Sequence, residues 1–263
     1  MVTLVVTLAS AFTVGSLVGD ADAASAATLD LGAVEAQFAD TSGYTGENGD
    51  RAPAQADCIR YGGATYPADS GTASNTYAGG GDNGTTGAWY TDGNSPWVGS
   101  GSISFAGWGT STGSCPATGG VLLGQDGQNA LGFAPASVSS VESGTTFNLG
   151  LVQYRAFKAS GVQDWYRGEM RIRFGDSVFT FPWRMNDLGN NARDTMDFTT
   201  TLSSVVITGP DGFTYKLNIR GFTAAVTSAP GCQAVLPSAN QLSNSLVWGG
   251  GGSSQFSCLY ASL

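Results

Sequence analysis

The 263-residue chain contains no histidine, which removes whole classes of chemistry at once. Ser-His-Asp and Cys-His nucleophile systems need an imidazole base, and most zinc hydrolases need imidazole ligands. Carboxylate chemistry remains. A glycosidase works with two carboxyl groups about 5 to 10 Å apart, and the chain has four glutamates: Glu35, Glu47, Glu142 and Glu169. Glu169 follows Trp165 and Tyr166 on an expected strand, as an acid beside a sugar ring would. The same residue alternates with Met170 and precedes Arg171, which is also the pattern of a plain solvent-facing position.

A second constellation is aromatic. Trp89, Tyr90, Trp97 and Trp108 stand among Gly, Ser, Thr and Asn, where exposed rings would stack on sugars while polar neighbours bond to hydroxyls. The other use for such rings is to cap the ends of a hydrophobic core. Trp183 and Trp248, set beside Phe179, Phe181, Leu246 and Val247, read as core.

A third set is rich in oxygen. Asp187, Asn190, Asn191, Asp194 and Asp197 crowd one inter-strand segment and are ligand types that Ca²⁺ takes at about six to eight positions. Gln125, Asp126, Gln128 and Asn129 form a smaller set. Neither follows the EF-hand order, Arg193 lies inside the first, and Asn and Asp also favour turns by bonding nearby backbone. Calcium is the one cofactor these residues suggest. Cys58, Cys115, Cys232 and Cys258 lack CxxC spacing and read as two disulfides. Of the three connectivities, the expected one joins sequence neighbours, Cys58 with Cys115 and Cys232 with Cys258.

The elements that must position these groups are strands. Three β-patterned stretches follow one another between residues 146 and 222: TFNLGLVQYRAF, GEMRIRFGDSVFTFPW and SVVITGPDGFTYKLNIRGF. In the last, Val205 and Ile207 precede Gly209-Pro210-Asp211-Gly212, and Phe213, Tyr215, Leu217 and Ile219 then alternate with polar residues, which is a hairpin pattern. Met170, Ile172 and Phe174 alternate with Glu169, Arg171 and Arg173, and Val178, Phe179, Phe181 and Trp183 resume the extended pattern after Gly175-Asp176. Leu31, Val34, Ala36 and Phe38 fit a short helix or a first strand. Short closing strands are expected near residues 224–226, 234–236, 245–248 and 256–260. Thirty-nine glycines and 12% charged residues suit a turn-rich β-protein, and helical periodicity is nearly absent. The expected fold is an all-β, mostly antiparallel β-sandwich, jelly-roll-like, with very little helix.

The first 26 residues read as a signal peptide: residues 2–18 are mostly apolar and small, and Ala21-Asp22-Ala23 and Ala24-Ser25-Ala26 offer cleavage sites. No Lys or Arg precedes the run, so a start upstream of Met1 is the alternative, as is a short membrane-prone helix. Residues 27–100 read as a Gly/Ser/Thr-rich N-terminal extension that packs on or decorates the sandwich, and residues 101–263 as the sandwich core. No later stretch is apolar enough to span a bilayer. The net charge of −9 disfavours nucleic acid and anionic membranes as partners.

The succession SISFAG, FNLGLVQYRAF, EMRIRF, VVITGPDGFTYKLNIRGF and FSCLYASL resembles the secreted bacterial domains called choice-of-anchor K, over roughly residues 100–263. The resemblance implies an exported β-sandwich and carries over no catalytic residue, and an anchoring segment after Leu263 is not expected. The expectation is therefore a secreted, disulfide-bonded sandwich with a binding or surface-structural role. Its partner would be an extracellular polysaccharide or cell-surface glycan, and glycoside-active catalysis by paired carboxylates is the alternative.

Overall fold

Alternation of apolar and polar residues becomes strand after strand. The computed structural model describes residues 28–44, 60–65, 94–95, 97–108, 129–138, 140–156, 164–187, 193–198, 204–209, 212–228, 230–235, 242–249 and 254–263. Among these residues there is no helix. The strands are β1 (Thr28–Asp30), β2 (Val34–Tyr44), β3 (Arg60–Thr65), β4 (Ser102–Trp108), β5 (Asn129–Pro135), β6 (Ser140–Glu142), β7 (Thr146–Arg155), β8 (Asp164–Phe174), β9 (Ser177–Asp187), β10 (Thr195–Phe198), β11 (Ser204–Thr208), β12 (Thr214–Phe222), β13 (Ser245–Val247) and β14 (Ser254–Ser262).

They form an antiparallel sandwich. One sheet has the order β13-β10-β9-β8-β2, the other β11-β12-β14-β7-β5-β4-β3, and β1 pairs with β6 as a small ribbon. Between the two sheets lies the main core. From the five-stranded sheet come Phe38, Met170, Ile172, Phe181, Trp183, Met185 and Met196. Leu131, Phe133, Val152, Tyr154, Leu217 and Leu259 come from the seven-stranded one. Asn94, Ser95, Trp97 and Val98 continue the smaller sheet, since Ala36 bridges Val98 and Ala39 bridges Asn94. The Ser95 hydroxyl bonds to that of Ser104 on β4, so this segment curls one sheet toward the other.

Both expected hairpins are present. Phe174 pairs with Ser177 across Gly175-Asp176, and Gly175 at φ +53° supplies the positive φ that a type II′ turn needs at its first central residue. In the β11–β12 hairpin Leu217 and Ile219 face the core, whereas Phe213 is 69% exposed: it sits where Gly209 N–H bonds its carbonyl, in the turn rather than on the strand face.

Residues 34–44 are strand, one of the two alternatives that the alternation left open. Within residues 27–100, β2 is hydrogen-bonded along most of β8 and β3 along β4. Phe38 is fully buried. A stretch with this much apolar surface at alternate positions gains more as a sheet member than as a covering loop.

The outer face of the seven-stranded sheet carries a second apolar cluster of Ile103, Phe105, Ala130, Ala134, Leu151, Cys258 and Tyr260. Residues 230–235 lie beside it, tied down by the Cys232–Cys258 disulfide with Cα atoms 5.8 Å apart, as expected. The Tyr260 hydroxyl donates to the Gln233 carbonyl at 3.0 Å. Cys58, Cys115 and the proposed leader at residues 1–26 lie outside the described residues. No helix among the described residues is long and apolar enough to cross a membrane.

Candidate ligand-binding face

Period-two geometry on β8 turns Tyr166, Gly168, Met170, Ile172 and Phe174 inward and Trp165, Arg167, Glu169, Arg171 and Arg173 outward. The inward set is buried, and the outward set is half-buried. Neighbouring strands extend this outward row. Cross-strand register sets Glu35 against Arg173, Gln37 against Arg171 and Ala39 against Glu169 on one side. On the other side it sets Val178, Thr180, Pro182, Arg184 and Asn186, with Asp197 next to Arg184. Four of the chain's eleven basic residues, Arg167, Arg171, Arg173 and Arg184, therefore stand on one sheet face.

The described contacts of the arginines on this face run to carboxylates, to rings and, once, to an amide oxygen. Arg173 holds Glu35 through Nε at 2.7 Å and through Nη2, and its guanidinium carbon lies 4.5 Å from the centroid of Trp97. Arg171 donates Nε and Nη2 to Glu169 Oε2 at 2.9 and 2.6 Å, Nη2 to Asp40 at 2.7 Å, and Nη1 to Asn94 at 3.4 Å. Arg184 lies 5.1 Å over Trp165 and 3.6 Å from Asp197. Trp97 and Trp165 thus stand toward the two ends of a ladder of guanidinium and carboxylate groups. From Trp165 to Arg173 is eight residues of extended strand, about 26 Å.

A β-bulge aims one member of the ladder. Ala39 pairs with Glu169 and Ser42 with Arg167, so Asp40 and Thr41 together oppose Gly168. Asp40 has φ +49°, a left-handed conformation that Asp tolerates better than most side chains. The bulge turns its carboxylate onto Arg171 and its neighbour Thr41 inward, where Thr41 N–H bonds the Tyr61 hydroxyl. A Cβ at residue 168 would meet Thr41 Oγ1 at 2.7 Å and Trp183 Cζ2 at 2.8 Å. Only glycine fits there.

The sequence-derived candidates separate. Trp97 is on this face. Trp108 is not a platform: it is fully buried, stacked 4.8 Å from Tyr166 and 5.8 Å from Trp183, because it lies at an inward position of β4. Trp89 and Tyr90 lie outside the described residues. In the sequence Trp165 stands out only as a neighbour of Glu169, and Arg171 and Arg173 only as polar alternates, while Arg167 and Arg184 carry no signal of their own. The Glu-Met-Arg-Ile-Arg-Phe alternation is the signal that puts Glu169, Arg171 and Arg173 on one face.

Of the oxygen-rich set, Asp187 and Asp194 are buried and Asp197 is half-buried. Asp187 faces inward and accepts from Trp108 Nε1 at 3.1 Å and from Asn129 Nδ2. Asp194 accepts from the Tyr154 hydroxyl at 2.8 Å, while Asp197 is on the outer face with Arg184. Asp187 and Asp194 both lie on the inner side beside Tyr154, whereas Asp197, three residues after Asp194, falls on the opposite face. Asn190 and Asn191 are not among the described residues. Within those that are, no group of three or more His, Cys, Asp or Glu could hold a metal ion. Burial, reinforced by the charges of Asp187 and Asp194, pushes the Tyr154 hydroxyl pKa well above its ordinary value. Tyr154 stays a neutral donor to a buried carboxylate.

Glu169 does face a second carboxylate, Asp40, but the Arg171 guanidinium fills the space between them. A glycosidic oxygen would have to sit there. Glu142 is exposed on β6, where it lines a separate cleft of about 720 Å³ with Ser140, Thr145, Asn148 and Val235. No family model matches the chain, and neither does any curated protein.

Proposed function

We propose that the protein is an exported β-sandwich that binds glycan chains across the outer face of its five-stranded sheet. The observation that carries this reading is the pair Trp97 and Trp165, both half-buried on one outward sheet face, each ring backed by a guanidinium and flanked by amides and carboxylates. Flat aromatic faces take the apolar faces of sugar rings, and charged groups beside them bond to hydroxyls better than neutral ones do. Export is supported by the apolar leader-like start of the chain and by a disulfide in a fold with an ample core, which is stable in an oxidising compartment. The resemblance of residues 100–263 to choice-of-anchor K domains points the same way.

The test is affinity electrophoresis of the disulfide-bonded protein through gels containing single polysaccharides, with Trp97→Ala and Trp165→Ala beside the wild type. Retardation that both substitutions weaken is the expected result. A wild type that no polysaccharide retards would leave the face as ordinary sheet surface.

A further inference from the structure

Resting on that reading, we infer that the ligand is an uncharged linear polysaccharide, bound along β8 by an internal stretch of its chain. The first argument is charge matching. Arg167, Arg171, Arg173 and Arg184 share the face with Glu35, Asp40, Glu169 and Asp197, so it has no excess positive charge, and the whole chain carries −9. A polyanion would meet no net attraction at the site and a repulsive field around it.

The second argument is the kind of hydrogen-bonding valence left over. Glu35 and Glu169 each commit only Oε2 to a guanidinium, and Asp40 commits only Oδ2. The side chains of Glu35 and Glu169 are 31% exposed and that of Asp40 48%, and the second oxygen of each is an acceptor. An ionised carboxylate accepts and cannot donate. What satisfies it is a donor, and a neutral sugar hydroxyl is one, whereas a uronate carboxylate or a sulfate brings a second acceptor and a like charge. Arg173 uses Nε and Nη2 on Glu35, which leaves Nη1 to donate to a hydroxyl beside the one that Glu35 accepts from. Neighbouring donor and acceptor sites of this sort match a vicinal diol.

The third argument is shape. The site is a sheet surface with a ring toward each end and about 26 Å of strand between Trp165 and Arg173. Several sugar units in line can touch both rings, and a short oligosaccharide can touch only one.

The experiment compares the folded wild type on soluble neutral linear polymers (a β-glucan, a mannan and a xylan) and on polygalacturonate and alginate, at low and at high salt. Trisaccharides of the neutral polymers serve as competitors. Expected is retention by at least one neutral polymer, unchanged by salt, no retention by either polyuronate, and competition by the trisaccharide at least about tenfold weaker than by the polymer. Trp97→Ala and Trp165→Ala should each weaken retention about fivefold to tenfold with the thermal midpoint preserved. Double substitution Glu35→Gln and Glu169→Gln should admit polyuronate. Salt-sensitive retention by a polyuronate alone would overturn the uncharged ligand while leaving a glycan-binding face. Equal competition by the trisaccharide would overturn the extended mode, and retention by none of the polymers would sink both this inference and the reading on which it rests.

Discussion

Arg173 covers one side of the Trp97 indole, its guanidinium carbon 4.5 Å from the ring centroid, while Glu35 grips the same guanidinium from β2. The ring is thereby fixed beside the sheet without being buried in it. Trp108, eleven residues later, is entirely enclosed by Tyr154, Tyr166 and Trp183. Two tryptophans from one polar-looking stretch therefore do opposite work. Trp108→Ala should cost about 3 to 5 kcal/mol in denaturant unfolding, with Asp187 losing a buried donor as well. Trp97→Ala should cost less than about 1 kcal/mol, as for other exposed stacking contacts. Equal losses for the two would contradict this placement of the rings.

Alkaline stability follows from two buried tyrosines. Burial pushes the Tyr61 hydroxyl up from 10.0 to about 12, against the opposing effect of its bond from Thr41, and Tyr154 moves the same way. A folded-state pKa above the unfolded one means the proton is held more tightly in the folded protein. The stability so gained is complete below about pH 10 and is lost as pH rises toward about 12. Tyr61 alone should remove about 1.4 kcal/mol by about pH 11, with Tyr154 adding to the fall. Urea unfolding followed from neutral to alkaline pH measures it. Tyr61→Phe should start from a lower baseline, since Thr41 N–H loses its acceptor, yet show a shallower alkaline decline; an unchanged slope would refute the assignment.

Much of this architecture was readable from alternation alone. Leu217 and Ile219 face the core because Lys216 and Asn218 alternate with them, and Gly175-Asp176 announces its own turn. The candidate face was readable only in part. Its arginines are spread over β8 and β9 and its acids over β2, β8 and β10, and which of them meet across strands is decided by strand order, which periodicity does not encode. The role of Trp108 was hidden for a related reason. Alternation marks it as inward or outward only once β4 has a partner sheet, and the glycines around it read as a loop. Asp40 depends on the bulge in β2, a one-residue irregularity with no composition signal apart from an Asp tolerant of positive φ.

The Cys232–Cys258 bridge spans 26 residues, for which loop-closure entropy gives about 3.5 kcal/mol. Replacing both cysteines by alanine should lower unfolding stability by about 2 to 4 kcal/mol. A second readout belongs to the arm that the bridge holds. Burial raises the Tyr260 pKa, and its hydroxyl bonds the Gln233 carbonyl on that arm. Loosening residues 230–235 should expose Tyr260 and let it ionise at lower pH, seen as earlier tyrosinate absorbance in the double variant. Loss of stability with no change at Tyr260 would mean that the arm stays in place without its disulfide.

Glycine substitutions can test whether the bulge in β2 is what sets the ladder. At Gly168 a methyl group would meet Thr41 Oγ1 and Trp183 Cζ2 at 2.7 and 2.8 Å, with the protein interior close-packed behind them. Gly168→Ala should therefore cost about 1 to 3 kcal/mol by overpacking. Gly99 is the comparison, because the nearest atom to its added Cβ is the Val34 carbonyl oxygen at 4.0 Å, and Gly99→Ala should change stability by less than about 0.5 kcal/mol. The two should also differ at the face. Relief of the clash at Gly168 pushes β2 away from β8 at the bulge, which draws Asp40 off Arg171 and frees Arg171 to move relative to Glu169. Gly168→Ala should thus weaken polysaccharide retention along with stability, and Gly99→Ala should leave both as they are. If Gly168→Ala melts with the wild type, the packing of Thr41 and Trp183 against β8 is not what places Asp40 on the ladder.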